Sequence, residues 1–450
     1  MEELELAKDA DTRAYNYLSK LEDRRVFPST SDINALDGFI EPLSQNGRPA
    51  SETLGLMDKL GSPATVASNG PNYFGFVIGA TLPVSAAAER LALAWDQCAS
   101  SFDGGPSAAV LEQQAAKWVL DILDLPRQSA VGFGTSATAC GLACLSAARS
   151  SLLASLGWDF ENDGIIGAPE IKVVVPDTAH ITVKKALRIL GFGLNRIIYA
   201  PTDGYGRVDP AQLPLMDEYT ILCLQAGEVN TGEFDLFDKI MPIAKNVGAW
   251  VHVDGAFGLW ARASKGSEYL TSGIDGADSW TTDGHKWLNT PYDGAIAICR
   301  DKNALARAMN SDAAYSTASV DAQKNLSLEF SRRARGIPIW AALRTLGKDG
   351  LADMVDQHIR QALYVKSELQ DTGYTVLNRV VLNQVLVRAN TDEATRNIIV
   401  AAQKSGRVWF GETVWQNRPA FRISISSWRT KDTHIEHLVK VLAELYQHQN

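Results

Sequence analysis

A lysine placed directly after an apolar strand is a candidate nucleophile. This chain has one at Lys286, in the segment Asp278-Ser279-Trp280-Thr281-Thr282-Asp283-Gly284-His285-Lys286-Trp287. Hydrophobic walls favour the neutral amine, the form that attacks a carbonyl. The plainer reading of the same residue is a surface lysine in a strand-to-loop turn. Upstream, Asp254 ends the apolar run Trp250-Val251-His252-Val253-Asp254 and is followed by Gly255 and Ala256. In α/β sheets ligands gather at the carboxyl ends of strands, so an aspartate there offers its carboxylate to the crevice. It could keep a ring nitrogen protonated, the requirement of a pyridinium electron sink, or it could cap the next turn.

Two further pieces suit a planar, phosphate-bearing ligand. Gly132-Phe133-Gly134-Thr135-Ser136-Ala137-Thr138-Ala139 is small and hydroxyl-rich and leads into a helical run through Arg149. Free backbone N–H groups at a helix start bind phosphate without needing a lysine. The loop matches neither GxxxxGK[ST] nor GxGxxG, which disfavours nucleotides. His180, in Asp177-Thr178-Ala179-His180, follows the strand-like Ile171–Val175 run. Its ring could stack on a flat cofactor or cap the following helix. Anion loop, ring, carboxylate and lysine together are far less expected by chance than any one of them.

The elements that must hold these residues read as an α/β unit. Short apolar runs at 171–175, 196–199, 220–224, 250–254, 278–281 and 295–299 alternate with helical patterns at about 182–190 and 236–246. Apolar strands separated by helices indicate a mostly parallel sheet buried on both faces. Before it, residues 1–60 pattern as a helical arm, with a second helix expected after Ser31-Asp32. After about residue 335 a long helix over 339–369, breaking near Gly347–Gly350, precedes short strands at 385–387, 408–410 and 421–426 and a last helix from about Asp432. The expected domains are therefore an arm (1–60), a large α/β domain (61–335) and a small α+β domain (336–450). An amphipathic arm without its own core must bury its apolar face elsewhere, and a second subunit is the natural place.

Composition narrows the function further. The chain has 450 residues, 46% hydrophobic and 21% charged, which excludes wholesale disorder. Its net charge is −9, with no basic block, so neither nucleic acid nor an anionic membrane is an expected partner. Leu60–Ala88 and Gln128–Ala148 carry no charge, but prolines, glycines and hydroxyl residues interrupt them, and no membrane helix is expected from either. The acidic start Met1-Glu2-Glu3-Leu4-Glu5 does not pattern as a secretory signal. Five cysteines, none in a CxxC pair, read as reduced cytoplasmic thiols, and no metal site is expected.

With these residues on the page, the chain resembles the group II pyridoxal-phosphate-dependent amino acid decarboxylases, which include the aromatic-L-amino-acid, glutamate and histidine decarboxylases. His252-Val253-Asp254-Gly255-Ala256 and Asp283-Gly284-His285-Lys286-Trp287 carry the likeness. Thr135–Thr138, Ala179-His180, Tyr17-Leu18 with Arg25-Val26-Phe27-Pro28, and Arg332-Arg333-Ala334-Arg335 with Trp340 extend it over nearly the whole chain. The resemblance implies pyridoxal-phosphate fold type I, aspartate-aminotransferase-like, in a homodimer. It implies that Lys286 forms a Schiff base with pyridoxal 5'-phosphate and that Asp254 pairs with the ring nitrogen. His180 would stack on one ring face and Ala256 pack on the other, while Ala137, Thr138 and His285 hold the phosphate. The tyrosine that reprotonates the substrate carbon falls on Tyr315, which favours simple decarboxylation over aldehyde formation. Arg422, in Phe421-Arg422-Ile423-Ser424-Ile425-Ser426, would grip the substrate α-carboxylate.

The implied reaction removes the α-carboxylate of an L-amino acid to give an amine and carbon dioxide. Three departures leave carbon–carbon cleavage or aldehyde formation as alternatives. The segment between Tyr315 and Arg332 is short, Gly227-Glu228-Val229-Asn230-Thr231-Gly232 replaces a threonine-rich turn, and Asp283-Gly284 is similar to the D-x-H-K of sphingosine-phosphate lyases. Tyr73, Phe76, Trp95 and Phe102 are either pocket-mouth or ordinary core residues.

Overall fold

The computed structural model describes residues 3–310 and 322–448. Its strands, in chain order, are β1 (Tyr73–Phe74), β2 (Ala130–Gly134), β3 (Lys172–Pro176), β4 (Ile198–Ala200), β5 (Thr220–Gln225) and β6 (Trp250–Asp254). They continue with β7 (Ser279–Asp283), β8 (Ala295–Cys299), β9 (Thr375–Val376), β10 (Gln384–Arg388), β11 (Trp409–Trp415) and β12 (Arg418–Ser424). The chain divides into two compact units. One comprises residues 81–362 with 378–384, and the other 1–80, 363–377 and 385–450.

The first unit is built on a seven-stranded sheet in the order β2-β8-β7-β6-β5-β3-β4. Strands β4, β3, β5, β6 and β7 run parallel, while β8 is antiparallel to both β7 and β2. Every residue of β2, β5, β7 and β8 is buried, which is why these segments read as continuous rather than alternating apolar runs. The helix Ala137–Ser155 packs Leu145, Ala148 and Leu152 against Val173 and Val175 of β3 and Ile221 of β5. By length and apolarity alone this helix could cross a membrane, but 67% of it is buried inside the unit, so it serves as a core helix. Its small residues let it lie close to the sheet, with Cys140 and Cys144 packed on Ala295 and Ala297 of β8.

The second unit carries a five-stranded sheet in the order β1-β11-β12-β10-β9. The parallel pairing of β1 with β11 joins residue 73 to residue 409. Residues up to 80 therefore group with the C-terminal strands, not with the α/β unit that the sequence boundary at 60 assigns them to. The long helix spans Gly336–Thr372 and breaks at Gly347, whose φ of 63° and ψ of −169° leave the helical region at the place expected. Its first part, to Ala362, belongs to the α/β unit, on the far side of the boundary expected at 335. Local contacts account for this: Ser85 Oγ donates to Pro338 O at 3.0 Å and Gly336 N–H to Glu112 Oε1 at 2.9 Å. In the arm, helix Glu3–Ser19 has no buried residue, and the second helix is Thr30–Ala35. Ser29 caps that helix, with Asp32 closing the capping box, so the cap lies earlier than Ser31-Asp32.

Candidate active site

The carboxyl edge of the seven-stranded sheet collects the chemistry. Register aligns Gln225 of β5 with Asp254 of β6, and Asp254 with Thr281 of β7. At the start of β8, Ala295 pairs with Asp283 on one side and with Gly134 on the other. The antiparallel β8 thus makes the carboxyl ends of β2 and β7 neighbours, and with them the start of the Ala137–Ser155 helix and the Lys286 turn. Ser136 caps that helix, its Oγ accepting from Ala139 N–H at 3.3 Å.

Asp283 is the hub of this arrangement. It is 2% exposed, and its Oδ1 accepts the Ala137 N–H at 2.7 Å. Lys286 Nζ lies 3.3 Å from Oδ2, and His285 Nε2 lies 3.7 Å from Oδ1. Its backbone is fixed as well: Asp283 N–H donates to Ala256 O at 2.8 Å, and Trp260 Nε1 donates to Asp283 O at 3.1 Å. The Lys286 side chain is 24% exposed, so the amine is partly open to solvent above a buried anchor. That places Lys286 in a structured turn and not in the freely solvated turn of the plainer reading.

Asp254 ends β6, and its Oδ1 accepts Ala256 N–H at 3.1 Å. The turn-capping alternative is therefore real, but it uses a single carboxylate oxygen. A side chain at Gly255 would meet Leu259 Cβ at 2.7 Å and Thr281 O at 3.2 Å, so only glycine lets the chain pass there. Two residues back, His252 is fully buried with Nδ1 2.9 Å from Ser279 Oγ, and burial pushes its imidazole down to about 4.

His285 is buried, and its Nδ1 accepts Gly294 N–H at 3.2 Å. Desolvation, more than the opposing Asp283 charge, holds its pKa below the ordinary value. The neutral tautomer with Nδ1 as acceptor carries its proton on Nε2, on the side facing Asp283. Tyr292, itself 58% exposed, stacks on the ring at 4.2 Å between centroids.

His180 stands at the carboxyl end of β3, with β5 between it and β6, roughly 10 Å along the sheet by ordinary strand spacing. It caps the helix Ile181–Ile189: Nδ1 lies 2.6 Å from Thr182 Oγ1 and 3.3 Å from Thr182 N. The capping alternative is thus present, and it also fixes the ring plane. Thr178 and Gln225 link the two strand ends through a 3.1 Å hydrogen bond. Ala137, Asp254, Ala256, His285 and Lys286 share one connected network, and Thr138 lies in the first turn of the same helix as Ala137. Tyr315 lies outside the described residues.

Arg422 belongs to the other unit. It sits on β12 opposite Gly411 of β11, with its guanidinium 6.0 Å from the Phe76 ring centroid. There Tyr73 stacks on Trp409 at 4.9 Å and Phe76 tilts onto it at 5.2 Å. Phe76 and Val77 both take positive φ, near 56°, a conformation that costs bulky residues energy. Gly75 admits the Trp409 ring, since a side chain there would lie 2.1 Å from it. Trp95 and Phe102 are exposed, not core, residues.

Glu228 does not present its carboxylate to the crevice. It is buried and turned into its own loop, accepting the N–H groups of Asn230 at 2.8 Å and Thr231 at 2.7 Å. Burial raises its pKa against those bonds. Sequence reasoning singled out Lys286 and Asp254, noted Asp283 only as a departure within the motif, and gave Tyr292 no role. Asp283 lay within the quoted Lys286 segment, and Tyr292 five residues beyond its end.

Residues 50–389 match the pyridoxal-dependent decarboxylase conserved domain. An aromatic-L-amino-acid decarboxylase from Bacillus atrophaeus is 23% identical over 453 residues, spanning 95% of this chain and 92% of that protein. The crystal structure of Oryza sativa TDC with PLP and tryptamine superposes with a TM-score of 0.90 at 22% identity, covering 99% of this chain and 97% of the other. Rhodiola rosea 4-hydroxyphenylacetaldehyde synthase gives a TM-score of 0.87 at 20% identity, over 100% and 99% of the two chains. The shared architecture is fold type I.

Proposed function

This chain belongs to the pyridoxal-dependent decarboxylase family, and from that premise we propose that it converts an aromatic L-amino acid to its amine and carbon dioxide. It is a pyridoxal-phosphate-dependent carboxy-lyase by family. The observation that carries the reading is the convergence on one sheet edge of Lys286, Asp254 and the N-terminus of the Ala137–Ser155 helix. The aromatic preference draws on the Bacillus relative's name.

The residues present fit the cofactor. A partly exposed amine, a strand-end carboxylate and a helix N-terminus meet the needs of its aldehyde, ring nitrogen and phosphate. When bound, pyridoxal phosphate supplies the electron sink that makes loss of a carboxylate from an amino acid feasible.

The chain's own groups do the rest. Lys286 would hold the cofactor covalently through its amine. Asp254 would keep the ring nitrogen protonated: Ala256 N–H orients Oδ1, which leaves Oδ2 for that proton. His180, its plane set by Thr182, would lie on one ring face and Ala256 on the other. Ala137, Thr138 and His285 would hold the phosphate, His285 donating from Nε2 because Nδ1 is engaged by Gly294. Arg422 would receive the substrate α-carboxylate in a two-pronged ion pair. Tyr315 would return a proton from its hydroxyl to the substrate α-carbon.

The protein is proposed to act as a cytoplasmic homodimer. Support for the dimer is the arm, where Leu4, Tyr15, Ile40 and Leu43 are exposed and helix Glu3–Ser19 buries no residue. Support for the compartment is that all five cysteines are free. Purified enzyme offered the common L-amino acids, with carbon dioxide, amine, aldehyde and peroxide read together, tests the reading. Carbon dioxide with amine from an aromatic substrate is expected; aldehyde and peroxide in step would assign the chain to the chemistry named for the Rhodiola neighbour.

A further inference from the structure

The phosphate's first backbone donor is already engaged. Ala137 N–H, at the start of the buried helix, is held at 2.7 Å by Asp283 Oδ1. A helix N-terminus stabilises an anion because its free N–H groups and the aligned peptide dipoles present positive charge. Here the anion is part of the chain. The groups around it are Lys286 Nζ at 3.3 Å, His285 Nε2 at 3.7 Å and, across the helix start, the neutral thiol of Cys140, which burial pushes upward.

We propose that Asp283 competes with the cofactor phosphate for the Ala137 N–H, so that this carboxylate sets how tightly the chain holds its cofactor. This rests on the reading that the site takes pyridoxal phosphate. Two anions cannot share one N–H at short range in a buried, weakly screened setting without mutual repulsion. The same Lys286 amine that neutralises Asp283 is the one assigned to hold the cofactor, so binding disturbs both bonds of the carboxylate. A neutral amide in its place would still accept from Ala137 or, rotated, donate to phosphate, without the repulsion. The device makes cofactor retention weaker than the fold allows.

The test compares pyridoxal phosphate with pyridoxal, which lacks the phosphate, on the purified holoenzyme and on Asp283→Asn. Release and rebinding are followed by visible absorbance in phosphate-free buffer. Asp283→Asn is expected to hold pyridoxal phosphate about tenfold more tightly or better, with pyridoxal affinity unchanged. Asp283→Ser, which also removes the charge, should shift affinity in the same direction and guards against a folding defect in one variant. Unchanged or weaker pyridoxal phosphate binding overturns the proposal. So does an equal gain for pyridoxal, which would mean that Asp283 acts through Lys286 alone. If the wild-type chain takes up neither compound, the cofactor reading itself falls.

Discussion

Lys286 Nζ and Asp283 Oδ2 lie 3.3 Å apart across one backbone turn, the amine partly exposed and the carboxylate buried. A single residue thus anchors Lys286, the proposed nucleophile, and holds the N–H at the start of the Ala137–Ser155 helix. Replacing Lys286 by Ala should remove turnover and the cofactor's visible absorbance together. Lys286→Arg keeps a cation for Asp283, so it should fold like wild type yet remain inactive, because a guanidinium does not serve as the nucleophilic amine. Measurable turnover in either variant would falsify the assignment.

Asp254→Asn preserves an oxygen acceptor for Ala256 N–H, so folding and cofactor content should hold. It removes the charge proposed to keep the ring nitrogen protonated. The expected result is a fall in kcat of roughly a hundredfold or more with little change in KM, checked by steady-state kinetics on the best substrate. Wild-type kcat in this variant would remove Asp254 from the chemistry.

Glu112 and Arg332 form an ion pair whose side chains are both fully buried, and Glu112 Oε1 also accepts Arg332 Nη1 at 3.1 Å and Gly336 N–H at 2.9 Å. Glu112→Gln leaves the guanidinium buried without its counter-charge. A loss of about 3–5 kcal/mol is expected, read as a lower urea midpoint. The double variant Glu112→Gln/Arg332→Met should recover part of it, since the stranded charge is gone.

His252 gives a signed pH dependence. Its pKa is about 4 in the fold, because burial disfavours the charged ring, against 6.5 as the ordinary value. Between these values the unfolded chain binds a proton that the folded chain does not. The contribution is therefore whole above 6.5 and is lost as pH falls toward 4, on the order of 3 kcal/mol in all. Subtracting the stability of His252→Gln from that of wild type isolates it from other titrating groups. A difference that does not shrink between pH 7 and pH 4.5 contradicts the burial argument.

Much of this was legible before any coordinates. Strands β6 and β8 fall on the residues where hydrophobic runs put them, and β5 and β7 within a few residues, because strands buried on both faces leave uninterrupted apolar runs. The break at Gly347 was legible too, since glycine alone populates that backbone conformation at no steric cost. The unit boundaries were not: β1 pairs with β11 across more than three hundred residues, and nothing local in Tyr73-Phe74 announces a distant partner. Nor was Glu112 legible as the partner of Arg332, since a lone glutamate in an amphipathic helix reads as a surface charge.

The sequence by itself singled out Lys286 and Asp254 as candidates, because each sits in a short segment whose apolar strand and small flanking residues are local properties. Only the tertiary structure decided what those residues touch. The antiparallel placement of β8 lays Gly134 and Asp283 against the same Ala295, and this brings the Ala137 N–H to the Asp283 carboxylate. Sheet order depends on how all the strands bury one another at once, and no single strand encodes it. That is why the small hydroxyl-rich loop could be read from the chain, while the carboxylate that holds the Ala137 N–H could not.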